Sequence, residues 1–174
     1  HPIVDPEDAI RYADAVCTGE GEFAFQSFLE RFKNGKDYTN TSGFWFRKGS
    51  DVIRNTNQSL ASQKEMDEFP PLTYQDGELI FHSGKGYKPI NYEDFLEYTG
   101  LSYNTIWSIG CPYKCTYCNS PMQLTIAKEN NQGKFLRRKS MDSIKERLEC
   151  EFKLYEPEFI YFVDDSFLAR PEKE

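Results

Sequence analysis

The stretch Ile109–Asn119 reads IGCPYKCTYCN. It carries three cysteines at the spacing C-x3-C-x2-C, namely Cys111, Cys115 and Cys118. The β-prone run 103–109 leads into it and is predicted to form a buried strand. This strand must end at the loop, because Pro112 cannot donate a hydrogen bond to a neighbouring strand and Gly110 permits an unusual backbone turn. The loop is therefore expected to fold back and bring the three thiols together at a metal centre.

The number of cysteines separates the possible metal centres. A structural zinc site needs four protein ligands, which usually arrive as two pairs, whereas here three cysteines arrive together without a second pair. A 4Fe–4S cluster held by three thiolates keeps one iron free of protein ligands, and that iron can bind a substrate or cofactor. Zinc completed by His82 or Cys150 stays an alternative. A disulfide framework is disfavoured, because the five cysteines are odd in number and metal-like in spacing.

The cysteine spacing, with the aromatic residue Tyr117 directly before the last cysteine, resembles the cluster loop of the radical S-adenosylmethionine (SAM) superfamily. The resemblance implies that Cys111, Cys115 and Cys118 bind a 4Fe–4S cluster whose open iron takes the amino and carboxylate groups of SAM. The reduced cluster would split the sulfonium to give a 5′-deoxyadenosyl radical. An external electron donor such as flavodoxin or ferredoxin would supply the electron. By position, Tyr117 would lie beside the adenine.

The start of the chain predicts α/β structure. Asp5 can cap a short helix that begins at Pro6. A buried strand is predicted over 14–18 and a second helix over 23–32. The apolar residues of the second helix follow the spacing of one helix face: Phe25, Phe28, Leu29 and Phe32. This order of helix, strand and helix is typical of the end of a parallel α/β layer.

Residues 1–56 also resemble the end of the cobalamin-binding domain found upstream of many radical SAM proteins. The resemblance rests on His1-Pro2 and on the run Asp14–Glu22, DAVCTGEGE. The Gly-Gly pair and the cobalt-ligand histidine motif of that family do not occur in these residues. Cobalamin is therefore expected for a longer parent protein, and both ends of the chain look cut from something longer.

Residues 57–100 are expected to form a linker with a short strand and a helix. Pro70-Pro71 cannot continue a helix, so the polar stretch around them is predicted to be irregular. The predicted elements here and just before are a hairpin over 43–55, a polar connection over 58–75, a strand over 78–82 and a helix over 91–98.

Residues 101–174 are expected to hold the first β-α-β unit of a strand–helix barrel. The polar run 119–134 is predicted to be irregular. A helix capped by Ser140 follows, with an inner face of Ile144, Leu148 and Phe152. The apolar run Phe159–Val163 predicts a parallel strand covered on both faces. A complete barrel takes ~200 residues or more, so this segment would be its opening third.

Two adjacent carboxylates, Asp164 and Asp165, follow that strand, at the end where strand–helix barrels place their active sites. The pattern Asp164-Asp165-x-Phe167 is similar to one in cobalamin-dependent radical SAM proteins, which implies an approach to the methionyl ammonium of SAM. A helix cap is the alternative. Arg137 and Arg138 resemble the basic pair before the first barrel helix. For Arg137 the resemblance implies a contact to the cofactor carboxylate, and a surface role is the alternative.

The composition limits the partners. The net charge is −7 with both signs mixed along the chain, so no basic face indicates a nucleic-acid partner. No apolar run approaches the length of a bilayer span. Reduced, metal-bound cysteines fit a cytoplasmic setting.

The fold class expected is therefore α/β, with the tail of a Rossmann-like cobalamin-binding domain followed by the first part of a TIM-type radical SAM barrel. The resemblance implies a radical SAM enzyme whose parent is a cobalamin-dependent methyltransferase or a related radical enzyme, acting on an unidentified small molecule or peptide. This segment alone would be inactive. The alternatives are a zinc-binding interaction module and a tRNA methylthiotransferase-like protein. The latter would carry three further cluster cysteines upstream, where only Cys17 stands.

Overall fold

The computed structural model describes residues 2–70, 77–100 and 102–169 of the 174-residue chain. Parts of four predictions lie outside the described residues: His1 of the segment 1–56, positions 71–76 of the linker, including Pro71, the start of the barrel segment at Leu101, and the end of the chain from Arg170. The chain divides into two compact units. The first unit consists of His1–Ala61 with Gly110–Leu136, and the second consists of Ser62–Ile109 with Arg137–Glu174. The division into 1–56, 57–100 and 101–174 stays a prediction.

The described elements alternate between short helices and short strands. In chain order they are α1 (Pro6–Ala9), β1 (Ala15–Cys17), α2 (Gly21–Lys33), β2 (Phe44–Lys48), β3 (Asp51–Arg54), α3 (Gln63–Glu68), β4 (Leu79–His82), β5 (Gly86–Pro89), α4 (Tyr92–Thr99), β6 (Ser102–Thr105), β7 (Ser108–Ile109), α5 (Ser120–Glu129), β8 (Arg137–Arg138), α6 (Met141–Tyr155) and β9 (Phe159–Phe162). None of the helices in the described ranges is long and apolar enough to be a membrane span.

The first unit contains a three-stranded antiparallel sheet in the order β1-β2-β3. The predicted helix cap is confirmed, since the Asp5 carboxylate accepts the Asp8 N–H at 3.0 Å. The predicted strand over 14–18 and the hairpin over 43–55 are also confirmed. The predicted parallel layer is not seen among the described residues, because β2, the strand after α2, runs opposite to β1.

The core of the first unit is aromatic and is centred on Phe28 of α2. Phe28 lies 5.5 Å from Phe44 between ring centroids and packs on the buried cluster that includes Ala24. Phe25 and Phe32 stack on Phe28, with ring centroids 6.0 Å and 6.1 Å from it, as their spacing on one helix face predicts, but they are 51% and 59% exposed. The fully buried Ala24, one turn before Phe28, marks the inward direction of the helix, so Phe25 and Phe32 lie at the edge of the core.

The predicted linker contains more structure than its polar composition indicated. Helix α3 begins with a capping box in which Ser62 and Glu65 bond reciprocally to each other's backbone N–H. Strands β4 and β5 form an antiparallel hairpin, and α4 begins with a second capping box, formed by Asn91 and Asp94. The predicted strand over 78–82 and the helix over 91–98 are confirmed, whereas α3 and β5 were missed.

The second unit contains a parallel pair, β6 and β9, with α6 between them in the chain. The predicted strand over 103–109 is divided into β6 and β7, and β7 pairs antiparallel with β8. In the described chain, β9 is not buried on both faces as predicted, since Phe159 is 57% and Tyr161 is 56% exposed. The pairing itself fits the predicted β-α-β unit.

The inner face of α6 differs from the prediction. Ile144 is buried as expected, but Phe152 is 52% exposed and the inward position next to it is taken by Glu151. The Glu151 side chain is 1% exposed, and its Oε1 lies 3.1 Å from Nε of Arg147. Burial raises the pKa of Glu151. Burial, together with a hydrogen bond to Glu151, also raises the pKa of Tyr103 on β6. An ion pair and a tyrosine hydroxyl thus replace the predicted phenylalanine.

We expect Glu151 to give the chain a pH-dependent stability. Because its pKa is raised in the folded state, the stability it contributes is fully present below the ordinary value of 4.5 and is lost as the pH rises through the folded pKa. Glu151→Gln should flatten this decline in the free energy of unfolding, measured by urea titrations between acid and neutral pH. Glu149→Gln, an exposed position on the same helix, is the control and should keep the wild-type slope. Equal slopes in both variants would contradict the role of Glu151.

Candidate functional site

The three cysteines of the loop all belong to the first unit, and none of them is in a disulfide. Cys111 is half-buried, while Cys115 and Cys118 are exposed. The backbone N–H of Cys118 donates to the carbonyl of Cys115 at 3.2 Å, which closes a tight turn between the last two cysteines. The loop therefore presents reduced sulfur atoms at the surface of one unit, without a disulfide to compete for them.

The entry to this loop depends on a glycine. Gly110 has φ +95°, a region that favours glycine. A Cβ at this position would lie 2.7 Å from the carbonyl oxygen of Phe135 and 3.1 Å from its ring. The turn therefore requires Gly110 for two reasons, backbone conformation and close approach. The sequence predicted the first of these and gave no sign of the second.

The three loop cysteines are soft sulfur donors, which suit either zinc or an iron–sulfur cluster. Within the described ranges, no three His, Cys, Asp or Glu side chains are grouped closely enough to hold one metal ion. A zinc ion needs its ligands around one point, at about 2.0–2.3 Å each. In a cubane each thiolate binds a different iron at a different corner, so the sulfur atoms stay farther apart. Binding of a cluster by the three cysteines stays a prediction.

A helix that the sequence analysis missed begins directly after the last cysteine. Residues 119–134 were predicted to be irregular, but Ser120–Glu129 forms α5, with Pro121 in its first turn. The N-cap residue Asn119 makes no side-chain cap hydrogen bond. Instead, the Ser120 N–H donates to Sγ of Cys118 at 3.5 Å. Proline near the start of a helix was the available signal.

The remaining predicted residue of the first unit, Tyr117, has an exposed side chain. It is 91% exposed, and Tyr113 in the same loop is 60% exposed. Two aromatic rings therefore flank the cysteines on the solvent side of the loop. The placement of Tyr117 beside an adenine stays a prediction.

In the second unit, Asp164 holds the bend between β6 and β7. Its carboxylate accepts the Ser108 N–H at 2.6 Å, the Trp107 N–H at 3.3 Å and the Ser108 hydroxyl. These partners are backbone and side-chain groups of the neighbouring strand region, so Asp164 has a structural role that the sequence did not predict. Asp165 is exposed. An approach of either carboxylate to SAM stays a prediction.

The basic pair lies on β8, opposite β7. Arg137 is 8% exposed, so it is buried, whereas the alternative prediction placed it at the surface. The Arg138 guanidinium lies 5.5 Å from the centre of the Trp107 ring. Trp107 Nε1 donates to the carbonyl of Lys139 at 2.9 Å. Trp107 thus joins the Asp164 bend to β8, and a contact of Arg137 to a cofactor stays a prediction.

Comparison with known proteins gives three similarities. No protein-family model matches the chain. The uncharacterized methyltransferase PH0819 of Pyrococcus horikoshii is 26% identical over 177 aligned positions, which cover 99% of this chain and 33% of that protein. The chain therefore spans about a third of this curated relative.

Two solved structures have a similar fold. One is OxsB, a cobalamin-dependent SAM radical enzyme with aqua-cobalamin and SAM bound, with a TM-score of 0.62 and 18% identity over 98% of this chain and 21% of that one. The other is the radical SAM methyltransferase TsrM from Kitasatospora setae with tryptophan and a SAM analogue bound, with a TM-score of 0.61 and 16% identity over 95% of this chain and 29% of that one. The chain thus shares a mixed α/β fold with parts of these two solved structures.

We expect Gly110→Ala to disturb the cysteine loop. The new Cβ would clash with the Phe135 carbonyl, in addition to the strain of about 1–2 kcal/mol for a non-glycine residue at positive φ. Gly133→Ala is the matched control, since Gly133 has φ +102° and nothing within 4 Å of its Cβ position. Urea unfolding should show a larger loss for Gly110→Ala than for Gly133→Ala. Equal losses would show that the contact with Phe135 has no energetic effect.

We expect Asp164→Ala to destabilise the second unit. The substitution leaves two backbone N–H groups and one hydroxyl without their acceptor, which costs about 1–3 kcal/mol. Asp165→Ala, at the exposed neighbouring carboxylate, should cost less. Hydrogen exchange provides the local measurement, since the Ser108 and Trp107 amides should lose protection only in Asp164→Ala. Unchanged protection there would exclude the structural role.

Proposed function

We propose that this chain is part of a cobalamin-dependent radical SAM enzyme and that Cys111, Cys115 and Cys118 hold its 4Fe–4S cluster. The observation that carries the proposal is the loop of three cysteines without a disulfide, entered through Gly110. It occurs in a chain whose fold resembles, over nearly its whole length, parts of the cobalamin-dependent SAM radical enzyme OxsB and of the radical SAM methyltransferase TsrM. The two observations are needed together. The loop is a short motif, and a fold by itself does not assign a chemical function.

The protein's part in the chemistry is to hold and orient the cluster and SAM, and to tune the reduction potential of the cluster. When bound, a reduced cluster of this kind supplies the electron for reductive cleavage of the SAM sulfonium. The three thiolates leave one iron open, which is where SAM would bind through its amino and carboxylate groups. The exposed Tyr117 ring would offer an apolar face to the adenine. As the resemblance implies, Asp164 and Asp165 are the proposed contacts to the methionyl ammonium, and Arg137 is the proposed contact to the cofactor carboxylate.

The reaction we propose for the whole protein is methyl transfer. The curated relative is named a methyltransferase, and TsrM is a radical SAM methyltransferase, which supports this class over another kind of radical enzyme. Cobalamin would be bound by the whole protein, with the segment 1–56 as the end of its binding domain. An electron donor of the flavodoxin or ferredoxin type would reduce the cluster. The substrate would be a small molecule or a peptide, and the setting the cytoplasm.

The cluster assignment is tested by anaerobic reconstitution of the 174-residue chain with iron and sulfide. We expect about four irons and four sulfides per chain, with a cluster absorption band and an electron paramagnetic resonance signal after reduction. Replacing Cys111, Cys115 and Cys118 together by alanine should abolish both signals, because no thiolate then remains in the loop.

The chain supplies matched controls in Cys17→Ala and Cys150→Ala, which lie outside the loop and should leave the iron content unchanged. A cluster that survives in the triple variant would refute the assignment. Tight binding of one zinc ion per chain, without iron–sulfur absorption, would favour the interaction module instead.

A further inference from the structure

The start of helix α5 places two polar groups of one residue against the sulfur of Cys118. The Ser120 N–H donates to Sγ at 3.5 Å, and Ser120 Oγ also lies 3.5 Å from Sγ. Ser120 is 7% exposed, whereas Cys118 is exposed. A buried serine therefore contacts the sulfur of an exposed cysteine, and both contacts are partly buried.

The direction of the second hydrogen bond depends on the state of the sulfur. In the thiol form Cys118 donates its hydrogen to Ser120 Oγ. A thiolate has no hydrogen to give, and a serine hydroxyl can both donate and accept. Once Cys118 is a metal ligand, the hydroxyl can turn its hydrogen toward the sulfur without moving its oxygen. The sulfur then receives two donors, the N–H and the O–H.

The backbone adds to this effect. The first N–H groups of a helix carry partial positive charge and have no partner within the helix. Asn119 does not satisfy them with its side chain, and the Ser120 N–H is directed to the sulfur. A negative charge near Cys118 is thus stabilised by the helix end as well as by the hydroxyl.

We infer that Ser120 is a positioning residue that raises the reduction potential of a cluster bound at Cys118, an inference that rests on the proposed function. Reduction adds one negative charge to the cluster, and part of this charge lies on the ligand sulfurs. Donors to those sulfurs stabilise the reduced state, and hydrogen bonds to sulfur are among the factors that set cluster potentials. Removing a donor therefore makes the cluster harder to reduce.

The inference is tested with Ser120→Ala in the reconstituted chain, by redox titration with dithionite monitored by electron paramagnetic resonance. At a fixed ambient potential, the ratio of reduced to oxidised cluster should fall by about threefold to tenfold, the effect of one hydrogen bond. A tenfold fall corresponds to a midpoint about 59 mV more negative for a one-electron couple. The alanine keeps the backbone N–H, so only the hydroxyl is tested.

Two further variants separate the hydroxyl from other effects. Thr125→Ala removes a hydroxyl from the same helix, one that donates to the Pro121 carbonyl at 3.0 Å, and should keep the wild-type potential. Ser120→Thr retains the hydroxyl and should also keep it. A shift in Ser120→Thr as large as that in Ser120→Ala would overturn the inference, since the hydroxyl would not be its cause.

The outcomes also distinguish this inference from the proposal beneath it. If the wild-type chain takes up no cluster, the proposed function fails and the inference fails with it. If the cluster assembles in wild type and in Ser120→Ala with the same midpoint, only the inference about Ser120 is overturned.

Discussion

The Asp164 carboxylate accepts two backbone N–H groups, and these hydrogen bonds decide how the strands of the second unit are arranged. A run of seven β-prone residues, 103–109, would continue as one strand if its N–H groups stayed in a ladder. The carboxylate at the end of β9 takes the N–H groups of Trp107 and Ser108, so β6 ends at Thr105 and β7 turns to pair with β8. Charge-assisted hydrogen bonds to a carboxylate are stronger than neutral ones. The Asp164 side chain thus divides one predicted strand into β6 and β7, with a bend between them.

The cysteine loop is constrained at both ends by backbone geometry rather than by packing of its own side chains. At its start, Gly110 lies so close to the Phe135 carbonyl that a methyl group does not fit. At its end, α5 begins beside Cys118 and directs a helix N–H to the sulfur. Between them the side chains are largely exposed, including Tyr117. Constrained ends and exposed side chains suit a loop that binds a cofactor. The ends set the positions of the sulfur atoms, and the exposed side of the loop stays accessible to a ligand.

The buried ion pair of α6 shows how a polar group can occupy a position that periodicity assigns to an apolar one. Glu151 and Arg147 are one helical turn apart, and Glu151 also meets Tyr103 of β6. Its second oxygen has no hydrogen-bond partner within the described part of the chain. A buried pair of this kind contributes little net stability compared with apolar packing. The pair does hold α6 against β6, because a movement of one partner leaves the charge of the other buried and uncompensated.

The sequence by itself determined the local features whose cause lies within a few residues. These were the Asp5 cap, the hairpin around Gly49, the strand over 14–18 and the metal-like spacing of the three cysteines. It also indicated the parallel pair through the apolar run at β9. Only the tertiary structure decided the antiparallel direction of β2, the burial of Glu151 in place of Phe152, the bend at Asp164 and the contact between Ser120 and Cys118. In each of these cases the outcome depends on a partner distant in sequence, or on a helix start that polar composition obscured, and neither is encoded in the period of hydrophobic residues.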